Sequence, residues 1–188
     1  KMREFDYVRL KKSSWDNEVL SLVAQIREHK GKQELYLRLK PVELERLIEV
    51  AKIQSTDSSN RIEGIGTSNA RMRDLVKEKT TPRSRDEQEI AGYRDVLKTI
   101  HESYEYIPLK GDVILQLHRD LLAYTGKTFG GKYKNTQNYI NQTHADGSSF
   151  TRFTPLEPFE TPMAVDAICA GYRQALDNQI IDPLILIP

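Results

Sequence analysis

Cysteine is nearly missing from this sequence: Cys169 is the only one in 188 residues. An internal disulfide is excluded, and a lone thiol suits a reducing compartment such as the cytoplasm. Long apolar runs are missing as well. No stretch approaches the ~20 apolar residues that a membrane-spanning helix needs. The N-terminus, Lys1-Met2-Arg3-Glu4-Phe5, carries no apolar signal region. Charge of one sign is also missing, because 28 Lys plus Arg face 27 Asp plus Glu for a net charge of +1. That balance gives no electrostatic case for nucleic acid or an anionic membrane as a partner. The Asn141-Gln142-Thr143 sequon is expected to be idle, because a cytoplasmic chain never meets the glycosylation machinery. There is no regular repeat and no low-complexity tract.

What is present reads as helix. The length allows one sizeable core, or a core plus a small N-terminal bundle. Trp15, Val19, Leu22, Val23 and Ile26 fall on one helical face, with Ser13 or Ser14 available as N-cap. Pro41 fits the first turn of a second helix that carries Leu44, Leu47, Ile48 and Ala51 and runs on through Ile53. The polar run from Ser55 to Asn60 is a poor helix former. After a linker around Thr80-Thr81-Pro82, Ser84-Arg85-Asp86-Glu87 reads as a capping box. It opens a helix with Ile90, Tyr93, Leu97, Ile100 and Tyr104 on one face. Another helix carries Ile114, Leu117, His118, Leu121 and Leu122, and Gly126 is its expected stop. A last one starts at Thr161-Pro162 with Val165, Ile168, Cys169 and Tyr172. The expectation is an all-α chain, divided into an N-terminal helical segment (1–40) and a main body (41–188).

One region breaks the helical period. Between Thr125 and Glu160, Asn138-Tyr139-Ile140 and Phe150-Thr151-Arg152-Phe153-Thr154 read as short strands, with Asp146-Gly147 for the turn. An irregular insert of this length inside a helical domain points to function. The C-terminal run from Ile180 to Pro188 is almost wholly apolar, unlike the solvated ends typical of domains. It reads as the opening of another buried element, so the natural chain is expected to continue past Pro188.

Several motif-like stretches fail on inspection. His118-Arg119-Asp120-Leu121 imitates a kinase catalytic loop, but Thr125 stands where Asn is required, and no Gly-rich loop or Asp-Phe-Gly accompanies it. Gly126-Lys127-Thr128 lacks both the earlier Gly and the preceding strand of a phosphate loop. His29, His101, His118 and His144 are scattered without ligand spacing, so no metal site is arguable. His118 and Cys169 sit on apolar faces and read as core.

Ser59-Asn60-Arg61-Ile62-Glu63-Gly64 is different. If the second helix continues this far, Ser59 and Glu63 stack one turn apart on one face, and Gly64 supplies the left-handed stop. A Glu in the last turn faces the negative end of the helix dipole, at a cost of about 0.3–1 kcal/mol when exposed. Such a local conflict often marks a functional position. The other reading makes Asn60 an N-cap and Glu63 its reciprocal partner in a new helix. Spacing alone leaves both open.

The hexapeptide resembles the inhibitory motif of Fic-domain proteins, Ser/Thr-x-x-x-Glu-Gly/Asn, in the arrangement that precedes the catalytic core. Its context strengthens the resemblance: Glu89-Ile90-Ala91-Gly92-Tyr93 opens a helix, Ile114-Leu115-Gln116-Leu117-His118 follows, then Gly130-Gly131-Lys132-Tyr133-Lys134. The two strands and the passage from Phe153-Thr154-Pro155 to Glu160-Thr161-Pro162 resemble the family's flap (about 135–160) and the proline-rich step after it. Together these cover roughly Pro41 to Pro188. The family's defining His-Pro-Phe-x-x-Gly-Asn-Gly-Arg is absent from the 188 residues. Lys134 stands where an Arg is usual, which keeps the charge but loses the planar fork.

The resemblance implies a Fic-like helical bundle with a short β-hairpin flap, incomplete at its C-terminus. It implies a parent enzyme that moves AMP from ATP, with Mg²⁺, onto a Ser, Thr or Tyr hydroxyl of a target protein. The motif His would be the general base and a helix N-terminus would hold the phosphates. No catalytic or metal-binding residue of that set lies within this chain, which alone is expected to be inactive. Glu63, Ser59 and Gly64 would form the inhibitory element, with Glu63 pairing the final Arg of the motif and Ser59 fixing Glu63. Tyr139, Ile140, Arg152, Phe153 and Thr154 would clamp the target's backbone by strand addition. A homodimer is compatible with this picture. Two other functions stay open at this stage: a helical, antitoxin-like module that inhibits a partner enzyme, and a parent that removes AMP from modified proteins.

Overall fold

The computed structural model describes residues 7–179 and 181–186. Its elements run α1 (Asn17–Leu39), α2 (Pro41–Ile62), α3 (Asn69–Val76), α4 (Arg85–Ser103), α5 (Gly111–Leu121), β1 (Ile140–Thr143), β2 (Ser149–Phe153), α6 (Thr161–Asp177) and α7 (Pro183–Leu186), with 3-10 turns at Tyr7–Lys12 and Tyr104–Tyr106. They fall into two compact units, each discontinuous in sequence.

One unit comprises Lys12–Tyr104 and Asp120–Lys127. Its first helix is capped by Asp16, whose carboxylate accepts from the Val19 amide at 2.9 Å. The expected Ser13 and Ser14 lie upstream of that cap, and Trp15 falls outside the helix. None of α1 is fully buried: on the anticipated face Trp15, Val19 and Val23 are half-buried, while Leu22 is 50% and Ile26 49% exposed. Lys40 joins α1 to α2, and Pro41 takes the first position of α2 as expected, where its missing N–H costs nothing. Helix α2 is continuous through the polar run. Thr56 and Asn60 face inward there, and the Asn60 side chain donates to the Thr56 carbonyl at 2.8 Å. The anticipated core positions Leu47 and Ile48 are instead exposed, because the inward side of α2 is its C-terminal half.

Helix α3 was not anticipated. Ser68 caps it by accepting from the Arg71 amide at 3.3 Å. Its Met72 and Leu75 close on Ile90 of α4, with Ile53, Ile65 and Val76 packed around them. Helix α4 starts at the expected cap, Ser84 accepting from the Glu87 amide at 3.2 Å. The reciprocal half of the capping box is absent. The Glu87 carboxylate is buried and accepts from Arg71 Nε at 2.9 Å, Arg71 Nη2 at 2.5 Å, the Thr67 hydroxyl at 3.0 Å and the Arg83 amide at 2.8 Å. Within this unit Gly92 of α4 lies against Leu121, close enough that a Cβ would stand 1.9 Å from the Leu121 carbonyl oxygen. Only glycine permits that approach.

The other unit holds residues 7–11, 105–119 and 128–186 of the described chain. Helix α5 ends at Leu121, five residues before the anticipated stop, since Ala123 and Thr125 make tighter i→i+3 turns that carry the chain to Gly126. The His118 ring accepts from the Gly131 amide at 3.3 Å, so it is a half-buried, satisfied histidine. Helix α6 has Pro162 in its first turn and buries Ala164, Cys169 and Ala175; Cys169 is 2% exposed, as its apolar setting suggested. Tyr7 meets Tyr172 edge to face at 6.0 Å. Of the apolar C-terminal run, Pro183–Leu186 form one helical turn with Leu186 buried. Ile180, Ile187 and Pro188 lie outside the described residues.

The insert is an antiparallel hairpin of two strands, with Ile140 opposite Phe153, Asn141 opposite Thr151, Gln142 opposite Phe150 and Thr143 opposite Ser149. The register shifts between Ile140 and Asn141. Tyr139 and Thr154 flank the strands rather than belong to them. Asp146 shapes the turn by accepting from the Ser148 amide at 2.8 Å, and Gly147 adopts a φ of 84°. The His144 ring stacks on Phe150 at 5.0 Å.

Candidate functional site

The local geometry of Ser59–Gly64 decides between the two readings of that stretch. Helix α2 ends at Ile62, Glu63 caps it with φ −86° and ψ 6°, and Gly64 has a φ of 74°. The Gly64 amide donates to Arg61 O at 3.0 Å and the Ile65 amide to Asn60 O at 2.9 Å. These two bonds are the paired C-terminal closure of a helix with a left-handed residue. Asn60 is therefore an inward-facing helical residue, 4% exposed, and not the cap of a new helix. Glu63 does stand at the carbonyl end of the helix dipole, where a carboxylate is disfavoured.

Around this helix end lies a cleft of about 730 Å³ lined by Ser59, Glu63, Arg85, Asp86, Glu89 and Tyr93, with Leu121 and Leu122 among its apolar walls. Three carboxylates share it, and two of them are already paired. Glu89 accepts from Lys127 at 2.8 Å and from Arg85 at 3.2 Å. The Lys127 hydrogen bond, followed by that of Arg85, holds the Glu89 carboxyl below its usual range against the opposing effect of burial. Asp86 accepts from the Gly66 amide at 3.2 Å. Among the described residues nothing donates to the exposed Glu63 carboxylate. The unmet negative charge of the cleft is thus concentrated at Glu63. Ser59 is held from another helix, its Oγ accepting from the Tyr93 hydroxyl at 3.0 Å.

Tyr93, Asp86 and Glu89 were not read from the sequence as site residues. Glu89 and Tyr93 carried a signal, being one turn apart on the same helix face. Nothing local marked that face as turned toward Ser59.

The flap residues are brought together in the other unit. Tyr139, Ile140, Phe150 and Phe153 are exposed at 58%, 53%, 45% and 45%, and every residue of both strands is exposed. Lys134 holds the base of the hairpin, donating to Asn138 Oδ1 at 2.8 Å, Gln137 Oε1 at 3.3 Å and the Leu156 carbonyl. Gln137 donates to the Pro155 carbonyl at 2.9 Å. A compact ammonium with three donors serves here without the planar fork of an Arg.

Among the described residues no three His, Cys, Asp or Glu side chains gather as metal ligands. No described helix is long and apolar enough to cross a membrane.

The sequence matches no family model and no curated protein. The structure does match known ones. It is similar to a Fic-domain-containing signaling protein from Bacteroides thetaiotaomicron VPI-5482, with a TM-score of 0.67 over 86% of this chain at 23% sequence identity. The fold is that of a Fic-domain protein: mostly helical, with a small two-stranded sheet among the described residues. The chain spans 60% of the length of that protein.

Proposed function

We propose that this chain is the regulatory and target-docking part of an autoinhibited Fic-type enzyme. The parent reaction moves AMP from ATP to a Ser, Thr or Tyr hydroxyl of a target protein. The observation that carries the reading is Glu63. It is an exposed, unpaired carboxylate at the wrong end of a helix, in a cleft whose other carboxylates are already satisfied.

A carboxylate so placed calls for a cation, and a guanidinium matches it best, with two parallel N–H···O bonds. In a Fic-type enzyme that guanidinium is the last Arg of the catalytic motif, which is not among these 188 residues. While paired with Glu63 the Arg is withheld from the γ-phosphate of ATP, and the α-phosphate sits out of line for attack. Glu63 is then a brake. Gly64 fixes where the helix stops and so where the carboxylate stands.

The flap supports docking. Its two strands form a sheet with no third strand among the described residues, so both outer edges are open. An extended target segment adds a strand to such an edge, and Ile140 and Phe153 offer apolar contact to its side chains. The setting proposed is the cytoplasm.

The test is ATP-dependent labelling by the full-length protein. Glu63→Gly should raise incorporation of the α-phosphate into the protein itself or a target by tenfold or more. Equal labelling by the folded variant and the wild type would remove the inhibitory role.

A further inference from the structure

We infer that Tyr93 is a positioning residue of the brake, acting on Glu63 through Ser59. This rests on the proposed role of Glu63 and adds a component that the hexapeptide does not contain.

A hydroxyl has one proton to donate and lone pairs to accept with. The Tyr93 hydroxyl donates to Ser59 Oγ at 3.0 Å across the gap between α4 and α2. The acceptor side of Ser59 is therefore in use. Its own proton has no acceptor among the described residues, and both side chains line the cleft that also holds Glu63. Glu63 follows one turn later on the same helix face, the neighbour position for a side-chain pair. A helical Ser without such an anchor turns its proton back to the carbonyl four residues before it. Anchored from α4, Ser59 keeps that proton for the cleft. A hydroxyl that accepts one bond is also polarised into a better donor. The Glu63 carboxylate takes no hydrogen bond among the described residues. When it turns to receive a guanidinium, the Ser59 proton is the donor one turn away that holds its rotamer. The anchor of Ser59 comes from a helix packed beside the inhibitory one.

Both ends of the relay can be removed without altering packing volume much. Tyr93→Phe deletes only the donor, and Ser59→Ala deletes the link. In the full-length protein, each should raise ATP-dependent labelling by about threefold to tenfold, the factor that one or two neutral hydrogen bonds are worth. The double variant should rise no further than either single one. In a Glu63→Gly background Tyr93→Phe should change nothing, whereas a merely structural role would alter labelling there too. Unchanged labelling in Tyr93→Phe, alongside a rise in Glu63→Gly, overturns the relay and leaves the brake standing. Unchanged labelling in Glu63→Gly overturns both. Additive effects of Tyr93→Phe and Ser59→Ala also contradict the relay.

Discussion

Gly92 and the Leu121 carbonyl stand so close that a single Cβ would come within 1.9 Å of the oxygen. The contact sets α4 against the end of α5, and the residues beside it, Tyr93 on one side and Leu121 with Leu122 on the other, line the cleft at Glu63. Backbone cannot yield as a flexible side chain does, so Gly92→Ala must push the two segments apart. Overpacking of this kind costs about 1–3 kcal/mol. Urea denaturation should show a loss in that range; an unchanged midpoint would mean the contact is not as tight as described.

The Arg71–Glu87 pair predicts a pH signature. Arg71's hydrogen bond, then those of the Arg83 amide and the Thr67 hydroxyl, outweigh burial and bring the Glu87 carboxyl from 4.5 to about 2. A carboxyl depressed on folding contributes stability that is present above its unfolded value and lost as pH falls through the folded one. The stability gap between wild type and Glu87→Gln should therefore narrow as pH drops from 4.5 toward 2. Unfolding titrations across that window measure it. A gap independent of pH counts against the assignment.

Thr56 is 1% exposed and its hydroxyl oxygen has no hydrogen-bond partner among the described residues. Burying an unsatisfied polar group costs about 1–3 kcal/mol. Thr56→Val keeps the shape and deletes that group, so it should raise the free energy of unfolding by roughly 1 kcal/mol. Destabilisation instead would show that the hydroxyl is satisfied in solution.

Lys134 ties Asn138, Gln137 and the Leu156 carbonyl together at the base of the hairpin. A lone two-stranded hairpin is marginal in water, so this anchor matters. In Lys134→Met, amide exchange in β1 and β2 should quicken by about tenfold, the worth of one net hydrogen bond or slightly more. Exchange at the wild-type rate would assign the hairpin's order to something else. The same variant should also lower labelling of a target more than self-labelling of the protein.

The long helices were legible because period and punctuation agreed: Pro41 opens α2, Ser84 opens α4, and Gly64 closes α2 with a positive φ. Helix α3 was missed because eight residues give barely two turns of period, and its cap Ser68 follows two glycines that read as loop. Leu22 and Ile26 of α1 and Leu47 and Ile48 of early α2 misled, since periodicity says which residues share a face but not whether anything covers it. Glu87 shows the same limit. Its spacing from Ser84 suited a capping box, yet a charged partner 16 residues earlier, Arg71, took the carboxylate. At the site, the hexapeptide was readable as a local pattern. The pairing that leaves Glu63 as the unmet charge depends on Lys127, 38 residues from Glu89, which no local pattern reveals.

In the proposed brake, Glu63 restrains through its charge. Glu63→Gln keeps the length and shape of the side chain and removes only the anionic partner of a guanidinium. In the full-length protein, ATP-dependent labelling by Glu63→Gln should rise to nearly the level of Glu63→Gly, as expected when a charge-assisted pair is reduced to a neutral contact. Labelling by Glu63→Gln that stays at the wild-type level, while Glu63→Gly is active, would contradict the account and make the brake a matter of bulk rather than charge.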